Sequence, residues 1–166
     1  MKRISDEREN LMPPEQSSPE IVEKQVEDML IAGIRYKGKY GDCGKYFRWI
    51  GRKMGRWICG KPFNLYYDPQ YKEIDADIES CFPIRRSQQV EGISVRTLPG
   101  SRCISLVHIG PYEQLGRSYE ALSAYIQENG CQTDQPIREI YLKGPGMIFK
   151  GNPQKYRTEI QMMIHS

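Results

Sequence analysis

The chain has 166 residues, of which 39% are hydrophobic, enough to form either one domain or two small modules that share a core. Its 24 basic and 21 acidic residues are spread along the sequence, and the densest cationic stretch is "RWIGRKMGRW" at 48–57. Because nucleic-acid-binding proteins usually concentrate far more positive charge on one face, we expect no direct nucleic-acid partner.

The first segment, residues 1–18, is polar and rich in Pro, Ser and Glu, which predicts a mobile leader. It lacks the apolar core of a signal peptide, and no run in the chain approaches the roughly 20 apolar residues that a membrane span needs. Five single cysteines, at 43, 59, 81, 103 and 131, show neither metal-binding nor disulfide spacing. We therefore expect a cytoplasmic protein with no membrane association, no bound metal and no cofactor.

The next elements form one module at about 20–84. A long strand at 20–37 is interrupted by a polar kink at "VEDM", and a Gly-x-Tyr turn then leads into a helix at about 43–58. Two shorter strands follow, "PFNLYYD" and "DADIESCFPI".

A second module at about 92–165 repeats this order. The stretch "LPGSRCISLVHIGPY", 98–112, aligns without gaps to "VEDMLIAGIRYKGKY", 26–40, at an offset of 72. A helix at about 112–128 follows, then the strands "PIREIYLKG" and "YRTEIQMMIHS". The duplication predicts an α+β fold of two strand-helix-strand-strand modules with antiparallel sheets, two main helices and pseudo-two-fold symmetry around a central groove, within one domain at 19–166.

The strand "PIREIYLKG" carries an acid, Glu139, where a strand favours apolar residues. Alternation places Glu139 and Tyr141 on one face, and the matching strand places Asn64 and Tyr66 on the corresponding face. We expect the helices to cover the opposite faces, those of Ile140 and Leu142 and of Phe63 and Leu65, so that Glu139 faces a shared groove. The alternative is a Glu139 at a sheet edge, paired with Arg138, Lys143 or Arg157.

Other candidate residues have simpler interpretations. His108 precedes the Gly-Pro turn and is expected to fix that turn by a hydrogen bond, with metal or haem ligation as the alternative. Asp75, Asp77 and Glu79 share one strand face, where a solvated edge is expected. Trp57 fits the apolar stripe of the first helix, whereas Trp49 lies at its margin, within reach of the groove or a partner.

The strand ending "YKGKY", its duplicate "LVHIGPYEQL", the segment "REIYLKGP" and the closing "YRTEIQMMI" together resemble the GyrI-like small-molecule-binding family. This family includes the effector-binding domains of AraC-type and MerR-type regulators and is a fold relative of the SOUL haem-binding proteins. The resemblance implies a groove for planar, hydrophobic, often cationic small molecules. The ligand-binding residues are then expected to be Glu139, Tyr141, Tyr66, Asn64, Trp49, Ile137, Tyr112 and Phe149. This chain has Gly144-Pro145 where the family usually has Asp-Pro, which leaves the loop 144–155 undetermined.

The leading hypothesis is a stand-alone binding protein without an attached DNA-binding module. One alternative is a hydrolase that opens cyclopropane-bearing electrophiles, with Glu139 as the general base and Tyr141 as a hydrogen-bond donor. A protein-interaction role resembling that of a gyrase inhibitor and a tetrapyrrole-binding role are further alternatives, so a protein partner remains open.

Overall fold

The computed structural model describes residues 19–146 and 150–165, and the predicted leader lies outside these ranges. Within them, two α-helices lie on one face of an eight-stranded antiparallel sheet. The strands are β1 (Ile21–Gln25), β2 (Met29–Gly38), β3 (Phe63–Tyr66), β4 (Ala76–Pro83), β5 (Ser94–Leu98), β6 (Arg102–Ile109), β7 (Thr133–Lys143) and β8 (Arg157–Ile164). The helices are α1 (Cys43–Met54) and α2 (Leu115–Asn129), each preceded by a 3-10 turn, at Tyr40–Asp42 and Tyr112–Gln114. The predicted class and element order are confirmed.

The strand order shows how the two modules combine. It is β1-β6-β8-β7-β3-β4-β2-β5, so β3 and β7 are the central pair and the first strand of each module pairs with the other module. The expected three-stranded sheets are therefore joined into one. Separate sheets would leave the backbone groups of β3 and β7 unpaired along an edge, and joining the two strands satisfies those groups.

The two predicted kinks, between β1 and β2 and between β5 and β6, contact each other. The Val26 amide donates to the Ser101 carbonyl at 2.9 Å, and the Gly100 amide donates to Asp28 Oδ1 at 2.8 Å. A Cβ atom on residue 100 would fall on the Val26 carbonyl oxygen. Glycine is therefore required at position 100 for the two segments to cross this closely.

The expected assignment of the sheet faces is wrong. Ile50 of α1 packs with Ala32, and Leu122 of α2 packs with Ile104 and Ile160, so the helices cover the same face that carries Glu139. The residues expected beneath the helices form a separate cluster on the other face, which we call the back face: Ile31, Phe63, Leu65, Cys81 and Leu98, with Ile140 packed against them.

The back face is buried because the sheet curves round on itself. The segment that contains β1 and β2 crosses the segment that contains β5 and β6. On one side of the crossing β1 pairs with β6, and on the other side β2 pairs with β5, so the same two segments form both ends of the sheet. This crossing brings Ile31 and Leu98 over the back face, and no helix is needed to cover it.

The expectation of a solvated acidic edge is also wrong for Glu79. Asp75 is exposed, but Glu79 is only 3% exposed, because β4 lies inside the sheet between β3 and β2. Its carboxylate accepts hydrogen bonds from Arg96 at 2.7 Å and from the Tyr67 hydroxyl at 2.6 Å. Glu79 is thus a buried, paired acid.

Neither α-helix in the described part of the chain is long and apolar enough to cross a membrane.

Candidate functional site

A groove with a volume of about 1570 Å³ runs along the helix face of the sheet, over the central strands β3 and β7. Its walls come from the N-terminal parts of α1 and α2, from the turns that precede these helices, from the segments on either side of β3 and from the end of β7 with the residues that follow it. Small residues at these positions, Gly41, Gly44 and Gly116, leave room for it. Its aromatic lining residues are Tyr40, Phe47, Tyr66, Tyr71, Phe82, Tyr112, Tyr119 and Tyr141.

Glu139 lies at the floor of this groove and is 6% exposed. Its Oε1 accepts hydrogen bonds from the hydroxyls of Tyr141, at 3.0 Å, and Tyr66, at 3.4 Å. Its Oε2 accepts a short hydrogen bond from Tyr119 of α2. Among the described residues, no lysine, arginine or histidine nitrogen lies within 4.0 Å of this carboxylate. Glu139 is therefore a buried acid held only by phenols.

Asn64 orients two of these phenols from below. It is fully buried, its Cα pairs with that of Glu139 across β3 and β7, and its Nδ2 donates to Tyr66 at 3.0 Å and to Tyr141 at 2.9 Å. With a lone pair occupied by the amide, each hydroxyl can direct its proton to the carboxylate. Asn64 Oδ1 in turn accepts from Ser80 at 2.7 Å, which lies 2.9 Å from the Tyr36 hydroxyl. A polarised hydrogen-bond chain thus runs from β2 to Glu139.

Burial dominates the electrostatics of the groove floor. It raises the pKa of Glu139 above the usual carboxyl value, and the hydrogen bonds from Tyr119, Tyr141 and Tyr66 oppose that rise. Burial, followed by the nearby Glu139 charge, raises the pKa of Tyr119 and of Tyr141 well above the ordinary phenol value. The phenols therefore remain protonated donors at neutral pH.

The aromatic rings that line the groove with Glu139 contact one another. Tyr141 makes edge-to-face contacts with Phe47 of α1, at 6.1 Å between ring centroids, and with Tyr112 at 5.9 Å. Tyr40 contacts Tyr66 in the same manner at 5.4 Å. This cage has one charged group at its floor, whereas the other charged residues that line the groove are Arg48, Arg52, Lys61, Asp68 and Lys143.

The comparison with known families adds one decisive match. The GyrI-like small molecule binding domain family matches residues 19–165. The chain belongs to this family. A comparison with curated proteins found no match.

Several solved structures share the fold of the chain at low sequence identity. The C-terminal domain of EcmrR is 23% identical with a TM-score of 0.78, over 90% of this chain and 99% of that one. A complex of EcmrR with DNA is 21% identical with a TM-score of 0.81, and the match covers 99% of this chain but 64% of that one. A protein described as a hydrolase from Listeria innocua is 13% identical with a TM-score of 0.65, over 97% of both chains. SAV2435, solved with tetraphenylphosphonium, is 15% identical with a TM-score of 0.60, over 89% of this chain and 94% of that one.

Most of the residues that the GyrI-like resemblance pointed to meet at this groove. Glu139, Tyr141, Tyr66, Ile137 and Tyr112 line it, and Asn64 lies beneath its floor. Phe149 lies outside the described residues. A surface salt bridge for Glu139 is excluded by the position of β7 at the centre of the sheet and by the hydrogen bonds described above.

The expectation that Trp49 reaches the groove is wrong. Its indole packs with the cluster between α1 and the sheet, and its ring lies against Gly92, where a Cβ atom would come within 2.6 Å of it.

The interpretation of His108 is confirmed: its Nδ1 lies 2.8 Å from Ser118 Oγ, and its Nε2 lies 3.1 Å from the Pro111 carbonyl oxygen. Both ring nitrogens are thus engaged, Nδ1 by Ser118 of α2 and Nε2 by the Pro111 carbonyl of the turn, which leaves neither for a metal or haem iron.

Sequence reasoning missed Tyr119, which bonds Glu139 directly. Periodicity assigned it to the apolar stripe of the helix, and a tyrosine at the edge of such a stripe looks the same whether its hydroxyl reaches solvent or a buried acid. The internal alignment could have indicated this role of Tyr119. It pairs Tyr119 with Phe47 and Tyr112 with Tyr40, and all four residues line the groove.

We expect Ser80→Ala to destabilise the protein although Ser80 is not among the groove-lining residues. The change removes the donor to Asn64 Oδ1 and leaves a buried acceptor unpaired, which costs about 1–3 kcal/mol. Urea denaturation measures this loss, with Ser123→Ala on the exposed side of α2 as the matched control. Equal stability of the two variants would show that the chain beneath Glu139 contributes nothing to the fold.

Proposed function

We propose that this GyrI-like protein binds planar or globular hydrophobic cations in the groove, with Glu139 as the counter-ion. The observation that carries the proposal is the buried carboxylate itself, which has phenol donors on both oxygens and no basic partner among the described residues. A buried charge without an opposite charge is costly, so a site of this kind favours a cation.

The aromatic lining supplies the rest of the binding free energy. Each cation–π contact contributes about 0.5–2 kcal/mol, depending on how dry the site is. Tyr40, Phe47, Tyr66, Tyr112 and Tyr141 surround the floor from several directions, so ligands of different shapes find rings to contact. Such a site recognises charge and aromatic area more than exact shape, which permits several ligands.

The comparisons support this type of ligand. SAV2435, a structural neighbour at 15% identity, was solved with tetraphenylphosphonium, a hydrophobic cation. The basic side chains of Arg48, Arg52, Lys61 and Lys143 are exposed, so water and salt screen their repulsion, whereas Glu139 acts in a dry environment. For a cation that reaches the groove floor, the attraction of Glu139 therefore exceeds the repulsion of these exposed basic residues.

Glu139→Gln should weaken the binding of tetraphenylphosphonium at least tenfold, because the amide keeps the shape of the side chain but removes the counter-charge. Quenching of tyrosine fluorescence or calorimetry measures the dissociation constant. Glu120→Gln, at an exposed position of α2, is the matched control and should leave the affinity unchanged. Equal affinity of the Glu139→Gln variant and the native protein would refute the counter-ion role.

Cation binding should also depend on pH through Glu139. Its pKa is raised in the free protein, and a bound cation lowers it again, so binding releases a proton at a pH below the raised value. The dissociation constant should then rise up to tenfold for each pH unit below that value. Titrations across about pH 4 to 8 test this, and the Glu139→Gln variant should show no such slope.

The stability of the free protein should depend on pH in the opposite direction to cation binding, falling as pH rises. A folded-state pKa above the unfolded value means that the folded protein binds the extra proton, so Glu139 contributes stability below the unfolded pKa and loses it as pH rises through the folded pKa. Thermal melts of native and Glu139→Gln protein over the same range report this difference. Parallel curves would contradict the raised pKa.

Hydrolysis is a second candidate, because a carboxylate next to phenol donors can activate water and a structural neighbour is described as a hydrolase. Here Glu139 would take a proton from water, and Tyr141 or Tyr66 would stabilise the developing charge. Incubation with a cyclopropane-bearing electrophile and mass spectrometry separates the two functions. Many equivalents of water adduct, lost in Glu139→Gln, would establish catalysis, whereas one equivalent of unaltered compound would establish binding alone.

A further inference from the structure

The back face of the sheet contains a second cavity, of about 330 Å³, beside the kink between β1 and β2. Its apolar walls are Val26, Met29, Phe63 and Ile140, and its polar lining residues are Glu27, Asp28, Arg138, Glu159 and Gln161. It is separated from the groove by the sheet itself, since Arg138 and Glu139 are consecutive residues of β7 on opposite faces.

The duplication places two matched ion pairs on this back face. Lys24 and Arg96 lie 72 positions apart, which is the offset of the repeat, and each pairs with an acid of the other module. Arg96 contacts Glu79 at 2.7 Å, and Lys24 contacts Glu159 at 2.5 Å. Both acids are therefore neutralised by partners within the fold.

Arg138 lies between these pairs and has no such partner. It is 4% exposed, and its Nη2 donates to the Pro99 carbonyl at 2.6 Å. Its Nε has no hydrogen-bond acceptor, and no carboxylate oxygen lies within 4.0 Å of the guanidinium, in the part of the chain that the structure describes. Burial lowers the pKa of Arg138, and the neighbouring Arg96 charge adds to that effect. A guanidinium nevertheless stays charged in proteins, so this cavity contains an uncompensated positive charge.

The acids around the cavity do not compensate the positive charge of Arg138. Glu159 is occupied by Lys24, Ser105 and Gln161, and the Asp28 carboxylate accepts the Gly100 amide. Glu27 and Asp28 are both exposed at the kink, where water screens them. The buried acids Glu79 and Glu159 each have a basic partner, whereas the buried Arg138 has no acidic one among the described residues.

We propose that this back-face cavity is a second binding site, for a small carboxylate with an apolar body, with Arg138 as its anchor. Paired N–H groups of a guanidinium match the two oxygens of a carboxylate, and Arg138 is the one basic residue among those that line the cavity. The walls formed by Met29, Phe63 and Ile140 fit an aryl or short alkyl group, and the volume limits the ligand to a small molecule. The acids at the kink and Glu159 disfavour a second negative charge, so a monoanion binds better than sulfate or phosphate.

Calorimetric titration of the native protein with benzoate and with hexanoate tests the site. We expect saturable binding of at least one of them, with benzyl alcohol, hexylamine and sulfate at least tenfold weaker. Arg138→Met should reduce the carboxylate affinity at least tenfold, whereas Arg102→Met, which removes an exposed arginine paired with Glu23, should leave it unchanged. Glu139→Gln should leave it within about twofold, because that acid lies on the other face.

A second variant keeps the proposal testable if Arg138→Met does not fold. Met29→Trp keeps the guanidinium and fills the cavity, so it should abolish carboxylate binding without removing any charge. Absence of carboxylate binding to the native protein would overturn the proposal. So would binding that survives Met29→Trp, or binding lost in Glu139→Gln, which would place the anion in the groove.

Discussion

The pairing of β3 with β7 is the contact on which the rest of the structure depends. Three strand pairings join the two modules: β1 with β6, β2 with β5, and the central pair β3 with β7. In the central pair, Asn64 lies opposite Glu139. The duplication aligns the same two residues with each other, so the pseudo-two-fold axis passes through this pair. One position of the repeat is therefore present twice at the symmetry axis, once as an amide and once as an acid.

This substitution at the axis creates the asymmetry of the groove. The amide donates to two tyrosine hydroxyls, and those hydroxyls donate to the acid, so the two non-identical copies become donor and acceptor of one network. A pair of acids at this position would repel each other, and a pair of amides would leave no charge for a ligand. The Ser80 and Tyr36 hydroxyls extend the network on the amide side and fix its direction.

The central strand β7 carries buried residues of opposite charge on its two faces. Glu139 faces the aromatic groove under the helices, and Arg138 faces the back-face cavity. Alternation of side chains in a strand makes this separation possible within two consecutive residues, since the sheet keeps the acid and the base apart. Neither charge neutralises the other, because the sheet lies between them.

The sequence by itself determined the helices and strands, their duplication and the kinks, and it placed Glu139 together with Tyr66, Tyr141 and Asn64. Periodicity and internal alignment can be read directly from the sequence, and the fold does not change them. The tertiary structure alone decided which face the helices cover, the union of the sheets, the contact of Tyr119 with Glu139, the burial of Glu79 and the isolation of Arg138. Alternation tells which residues share a face, but it does not tell which face meets a helix. That choice depended on the crossing of the two long strands, which buries Phe63 and Leu65 without a helix and leaves the Glu139 face to α1 and α2.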